Sequence, residues 1–220
     1  MTILDAIQAR HSVRSYLAKP LEAGAKHALL TEIKAVNQEG GLHIQLVTDE
    51  PRAFSSLTAR YGKFSGVANY IALVGRKSPD LDERCGYWGE RLVLLAQQLG
   101  LNTCWAAMTY RKVPGAFQLA PGEKLVLVIA LGYGEAQGIP HKSRPAADVA
   151  NVSGAPEWFR AGVDAALLAP TAMNQQKFTL TLENGKVRAK AGTGFYTRID
   201  LGIVKYHFEA GAGKENFQWE

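Results

Sequence analysis

The run Leu125 to Leu131 (LVLVIAL) limits most sharply what this chain can fold into. It is far shorter than the ~20 apolar residues that span a bilayer. It carries no polar position on either face, which is the pattern of a strand buried on both sides. Such a strand needs other layers to cover it, and the flanking sequence offers them. Trp88, Leu92, Leu95 and Leu99 recur at helical spacing after Ser78-Pro79, and Gly100 closes that helix. Thr2 and Asp5 form a capping box ahead of Ile3, Leu4 and Ile7, predicting a helix over about residues 2–10. Pro20 opens a second helix, striped by Ala25, Leu29, Ile33 and Val36 and ending near Gly40-Gly41. Strands are predicted over 42–47, 70–74 and 103–107, and a short helix over 51–60.

After a loop rich in proline and bases (138–144), the organisation begins again. Pro156 starts a helix that Pro170 stops. Strands over 178–182 and 187–191 flank Asn184-Gly185, a strong hairpin turn. Thr197 and Asp200 read as a second capping box, ahead of Leu201, Val204 and Phe208. The expected fold is α/β (α+β in stricter schemes), a central mixed, mainly antiparallel sheet flanked by helices. A main unit, 1–150, is followed by a smaller one, 151–220. Ala35-Val36-Asn37-Gln38 and Ala172-Met173-Asn174-Gln175 echo each other in the two parts and suggest related units.

With 220 residues, the chain makes one large domain or two small ones. It buries enough surface to need no staple. Two cysteines, Cys85 and Cys104, suit a reduced intracellular protein. No apolar segment near the N-terminus reads as a signal peptide, so a cytoplasmic protein without a membrane anchor is expected. Lys plus Arg is 25 against 20 acidic residues, a net charge of +5. The bases are dispersed, which argues against a nucleic-acid partner. The closest groups are Arg10/Arg14/Lys19 and Lys142/Arg144, and they suit a phosphorylated small molecule better than a polymer.

Several motifs fail. Gly132-Tyr133-Gly134 with Gly138 follows a strand, but Ile139-Pro140 stands where a dinucleotide fingerprint needs a helix. Gly213-Lys214 is followed by Glu215, where a P-loop needs Ser or Thr. The histidines show no metal spacing, and no serine nucleophile or carboxylate pair is apparent. That leaves the reaction to a cofactor. Arg10-His11-Ser12-Val13-Arg14-Ser15-Tyr16 remains. Two guanidiniums and a hydroxyl within five residues can converge on one phosphate. The same bases would also complement a helix C-terminus.

This segment, directly after a short N-terminal helix, resembles the opening signature of the nitroreductase family of FMN-dependent oxidoreductases. Trp88 to Trp105, Gly122 to Gly134 and His141-Lys142-Ser143-Arg144-Pro145 resemble further family segments in the same order. One departure stands out. The family's Ser-Pro segment ending in an Asn-x-Gln pattern is missing near residue 40, and a similar one lies late, Ala169 to Phe178. That arrangement resembles a small subgroup of two-domain, single-chain members, in which the second half replaces a partner subunit.

The resemblance implies that Arg10, His11, Ser12 and Arg14 hold the FMN phosphate and ribityl chain or the ring edge. Lys142 and Arg144 would add phosphate contacts, or else form a basic surface loop. Pro170, Thr171 and Asn174 would line the flavin, or else simply stop a helix. Trp105, Ala106, Ala107 and Met108 would approach the isoalloxazine, and Lys63 its pyrimidine end. Tyr16 and Met173 are read as packing residues. No metal is implied. The implied reaction is ping-pong hydride transfer from NADH or NADPH through flavin N5 to an electron-poor acceptor: a nitroaromatic, a quinone or free flavin. The alternative is a flavin-binding storage or sensor module. A monomer or a homodimer is compatible with either.

Overall fold

The computed structural model describes residues 1–220. The first capping box forms as expected. Thr2 N–H donates to Asp5 Oδ2 at 2.8 Å and Asp5 N–H to Thr2 Oγ1 at 3.1 Å, starting helix α1 (Ile3–Ala9). Helix α2 (Ala23–Gly40) follows, three residues later than Pro20 suggested, and ends on Gly41 in the left-handed region. Strand β1 (Gln45–Val47) is shorter than predicted. The Asn37 side chain takes both main-chain groups of Ile44, accepting at 2.7 Å and donating at 2.9 Å, in place of a strand partner. The segment expected as one short helix is a 3-10 turn, Pro51–Phe54, then α3 (Leu57–Tyr61). Next come β2 (Asn69–Arg76), α4 (Leu81–Gln98), β3 (Asn102–Ala106) and β4 (Glu123–Gly132). The remainder forms α5 (Glu157–Ala166), β5 (Phe178–Glu183), β6 (Lys186–Ala191), α6 (Thr197–Ala212) and a two-residue β7 (Gln218–Trp219).

By packing, the chain forms two compact units, each assembled from separated stretches, whereas the division near residue 150 follows chain order. One unit comprises Arg10–Leu81 and Leu92–Ile139. It holds a four-stranded antiparallel sheet in the order β1-β2-β4-β3. The Leu125–Leu131 run lies inside β4, paired on both edges. Ala130, for example, sits between Tyr70 of β2 and Cys104 of β3. Phe54, Phe64 and Tyr70 pack as an aromatic group, with ring centroids 4.9 and 6.1 Å apart.

The other unit comprises Met1–Ala9, Asp82–Arg91 and Pro140–Glu220. The Asn184-Gly185 turn joins β5 to β6 with both residues at positive φ, 52° and 78°, as a two-residue hairpin requires. β7 adds to β6 in parallel; two residues carry no periodicity, so the sequence could not show it. Helix α6 is crossed closely by its neighbours in this unit. A Cβ on Gly86 would lie 2.0 Å from the Ile199 carbonyl oxygen, and one on Gly202 would lie 2.0 Å from that of Glu83. Gly162 and Gly211 allow the same close approach between α5 and α6. His207 on α6 is fully buried. Its Nδ1 faces the Ala165 carbonyl at 3.1 Å, and its Nε2 faces Glu90 Oε1 at 2.9 Å. A carbonyl only accepts, so Nδ1 carries a hydrogen. The ring therefore ties α6 to α5 and to α4 at once.

The second capping box does not form. Tyr196, left-handed at φ 61°, precedes α6 without a side-chain cap. Thr197 Oγ1 turns to the Gly194 carbonyl, and Asp200 is used elsewhere. The echoing tetrapeptides also differ: Asn37 lies within α2, whereas Met173 and Asn174 are both left-handed in a 3-10 turn.

The glycine contacts predict opposite outcomes for one kind of substitution. Gly86→Ala and Gly202→Ala must push helices apart, and each is expected to cost more than about 3 kcal/mol in urea denaturation or to prevent folding. Gly24→Ala in α2 meets nothing within 4 Å and is expected to stabilise by up to about 1 kcal/mol.

Candidate functional site

Ser12 to Leu17 has no strand of its own, yet its main chain is held on both edges. Val13 N–H donates to the Thr103 carbonyl at 3.1 Å and Tyr16 N–H to Ser65 at 3.0 Å. Leu17 N–H donates to Tyr133 at 2.8 Å. In return, Ser65 N–H reaches the Arg14 carbonyl and Glu135 N–H that of Ser15, both at 3.0 Å. Three separate pieces of chain thus clamp one short segment. Tyr16 anchors it as a packing residue, as expected. It is buried, and its hydroxyl donates to the Val13 carbonyl at 2.7 Å; burial pushes its pKa well up. Glycines make the fit possible. At Gly66 (φ 69°) a Cβ would meet the Tyr16 carbonyl oxygen at 2.0 Å, and at Gly138 (φ 76°) it would meet His11 Cβ at 2.8 Å.

The pinned segment groups its polar side chains. Cys104 on β3 is buried beneath it, and burial raises the thiol pKa. Arg14, a hydrogen bond with Ser12, and Arg10 all act in the opposite direction. Arg10, Ser12 and Arg14 therefore all lie near the Cys104 thiol. Arg10 is buried, 3% exposed, and Arg14 is exposed. Two guanidiniums, a hydroxyl and the half-buried His11 make a donor set matched to an anion.

Lys63 and the end of β3 belong to the same unit. Lys63 is exposed and left-handed (φ 60°), and it is two residues from Ser65, which pairs with the segment. Beside it, a Cβ on Gly62 would lie 2.6 Å from Thr109 Cβ, so this turn rests on the loop that follows β3 and holds Met108. Ala106 is buried, Trp105 and Ala107 half-buried, and Met108 72% exposed.

In the other unit, Lys142, Arg144, Pro170, Thr171 and Asn174 come together. His141 Nε2 and Ser143 Oγ both lie 3.0 Å from the Leu167 carbonyl, an orphan acceptor at the end of α5. Lys142 and Arg144 alternate with them and are exposed. Pro170 then leads into a turn holding three left-handed residues, Met173, Asn174 and Gln176 (φ 51°, 53° and 45°). Such backbone is costly and needs surroundings that enforce it. Thr171 Oγ1 accepts from Gln176 N–H at 3.0 Å. The Asn174 amide donates to the Lys142 carbonyl and accepts from the Gln176 amide, both at 2.9 Å. Met173, expected to pack, is instead 84% exposed, because its left-handed backbone turns it outward.

Two residues that organise this turn escaped the sequence reading. Gln176 is buried, 2% exposed; it is the glutamine of the late Asn-x-Gln pattern, but the pattern alone gave it no role. Asp200, read as a cap, instead accepts Ala172 N–H at 3.0 Å and Gln175 Nε2 at 2.7 Å. An acid in a first helical turn serves a cap or a neighbouring loop equally well. Burial pushes the Asp200 carboxyl up to about 6, although the Gln175 and Ala172 hydrogen bonds oppose that shift.

The folded state therefore holds the Asp200 proton more tightly than the unfolded chain. This contribution to stability is complete below about pH 4 and is lost as pH rises through about 6. Two pH units correspond to about 3 kcal/mol. Denaturant titrations of wild type and Asp200→Asn should diverge by about that amount between pH 4 and 6 and run parallel above pH 7. Parallel curves throughout would refute the shift.

Comparison with known proteins adds the family. Residues 2–212 match the sequence profile of the family described as "Putative TM nitroreductase". No curated protein matches the chain. Among solved structures, a "putative nitroreductase" of Thermotoga maritima superposes with a TM-score of 0.70 at 24% identity, covering 98% of this chain and 85% of its own. A "putative nitroreductase" of Desulfovibrio desulfuricans, solved in complex with FMN, superposes with a TM-score of 0.54 at 21% identity, over 67% of this chain and 94% of its own. A "Putative NADH dehydrogenase/NAD(P)H nitroreductase" of Bacteroides thetaiotaomicron reaches 0.52 at 22% identity, over 67% and 95%. At these identities the superpositions show the fold alone. With its profile matched over almost the whole length, the chain belongs to the TM nitroreductase family.

Proposed function

We propose that this protein is an FMN-dependent oxidoreductase. The Arg10–Arg14 motif carries the reading: two guanidiniums and a hydroxyl near the Cys104 thiol, with the main chain of Val13 and Arg14 bonded to Thr103 and Ser65. The donor chemistry fits FMN. Its phosphate suits guanidinium forks, and the left-handed Gly138 leaves His11 no Cβ to meet. Family membership and the FMN-bound Desulfovibrio neighbour support the same choice.

FMN, when bound, supplies the redox chemistry: hydride accepted at N5 from NADH or NADPH, then passed to a nitroaromatic, a quinone or a free flavin. The protein's own residues bind and orient. Arg10, His11, Ser12 and Arg14 hold the phosphate and ribityl chain or the ring edge. Lys63 supplies positive charge for the pyrimidine end, where reduced flavin is anionic. Trp105, Ala106, Ala107 and Met108 approach the ring, small side chains letting main chain come close. Lys142 and Arg144 hold phosphate. Pro170, Thr171 and Asn174 border the cofactor. The Asn174 amide, already engaged with Lys142 and Gln176, does so chiefly by shaping its turn. No side chain is asked to act as acid or base in the hydride step.

The visible spectrum tests this directly. Purified protein should show flavin bands that bleach when NADH or NADPH is added without oxygen. Bands that persist would mark a binding module without turnover, and a protein that takes up no FMN would end the reading. Arg14→Ala and Arg10→Ala are each expected to weaken FMN binding by about 1.5–3 kcal/mol, roughly ten- to a hundredfold by titration. Because Arg10 is buried, circular dichroism must accompany that variant; Arg14 is exposed and gives the cleaner number. Two variants that bind like wild type would place the cofactor elsewhere.

A further inference from the structure

Gln176, the glutamine of the late Asn-x-Gln segment, performs a task that none of the site readings above gives it. Its buried side-chain amide makes two hydrogen bonds to one short stretch of main chain. Oε1 accepts from Arg144 N–H at 2.9 Å, and Nε2 donates to the Lys142 carbonyl at 2.9 Å. These two groups flank Ser143, so the amide pairs with the stretch as a residue of a neighbouring strand would. On the opposite side, His141 and Ser143 bond to Leu167. This is the pattern of extended chain, in which alternate residues face opposite ways. Lys142 and Arg144 consequently share the face turned to solvent. There the Arg144 guanidinium meets Asp148 Oδ2 at 3.4 Å, an exposed pair of little strength.

Without Gln176, the stretch would keep its side-chain bonds to Leu167 and the Asn174 amide on the Lys142 carbonyl, but lose the pair of bonds that spans Ser143 and fixes Arg144 N–H. Gln176 also holds Asn174 Oδ1 and, through its own N–H, Thr171 Oγ1. We propose that Gln176 is the positioning residue of the phosphate site: its amide fixes the main chain at Lys142 and Arg144 so that both cations meet one phosphate. This rests on the FMN reading above and names the side chain that sets up part of it.

The test compares FMN with riboflavin, which lacks the phosphate. Wild type should bind FMN more tightly. Gln176→Met keeps length and apolar stem but removes all three side-chain hydrogen bonds, to Arg144, Lys142 and Asn174. It should lower FMN affinity about tenfold or more while leaving riboflavin affinity within about twofold. An unchanged FMN-to-riboflavin ratio overturns the proposal. So does an equal loss for both flavins, since a purely structural role would produce that. A wild type that binds neither flavin, or both alike, sinks the cofactor reading itself. Two measurements keep Gln176 in place and decide the matter should the variant not fold. In the unmodified protein the Arg144 amide should exchange with solvent at least about tenfold more slowly than an unstructured amide. The exposed pair Lys142→Ala with Arg144→Ala should lower the FMN preference by at least as much as Gln176→Met, about tenfold or more, the Arg10–Arg14 group keeping the rest. A fast-exchanging Arg144 amide, or a preference unchanged by that pair of substitutions, overturns the proposal.

Discussion

Much in the sheet-bearing unit follows from the main chain between Ser12 and Leu17 being satisfied by three distant partners. Thr103, Ser65 and the Tyr133–Glu135 turn each take part of it. Buried main-chain groups must find partners, and here they find them along an otherwise open sheet edge. The consequences run outward. Tyr16 is driven inward beneath Gly132, where a Cβ would already press on its ring at 3.0 Å. Gly66 and Gly138 are required at positive φ. Arg14 is left on the solvent side, its carbonyl bound to Ser65. A cluster of bases on a frayed helix end would hold an anion poorly. On a clamped segment the main chain behind such bases is fixed in advance, which would lower the ordering cost of holding an anion.

The other unit reaches a similar end with buried polar side chains in place of a sheet ladder. Gln176, Asp200 and His207 are each buried, and each meets partners from elsewhere in the unit. Satisfied networks of this kind specify one arrangement, because leaving any member unpaired in a low dielectric is costly. The three left-handed residues around Asn174 depend on that enforcement. Asp200 holds the turn through Ala172 and Gln175, and Gln176 holds it to the Lys142–Arg144 stretch. The close helix crossings at Gly86 and Gly202 carry α6, and with it Asp200, to the required depth.

Local rules made much of this legible in advance. The Thr2–Asp5 box, the Asn184-Gly185 hairpin and the apolar strand β4 are short-range patterns, and all three form. The Arg10–Tyr16 motif could be picked out because its residue types are unusual together. Where the reading failed, a distant partner prevailed. Asp200 has the sequence context of a cap but binds a turn that begins 28 residues earlier. Asn37 ends a predicted strand early by taking its backbone groups. Ala172-Met173-Asn174-Gln175 resembles a helical tetrapeptide and is held in left-handed backbone instead.

By itself, the sequence determined most of the element types, the β5–β6 hairpin, the candidate anion-binding residues and the family resemblance. These depend on periodicity, turn chemistry and residue type, which act over a few positions. Tertiary structure alone decided which groups face which. It placed Cys104 under Arg10, Ser12 and Arg14, joined Gln176 to Lys142 and Arg144, and set Asp200 against Ala172. The physical reason is the same each time. A hydrogen bond in the interior is set by which buried groups remain to be satisfied after packing, and that depends on the whole chain.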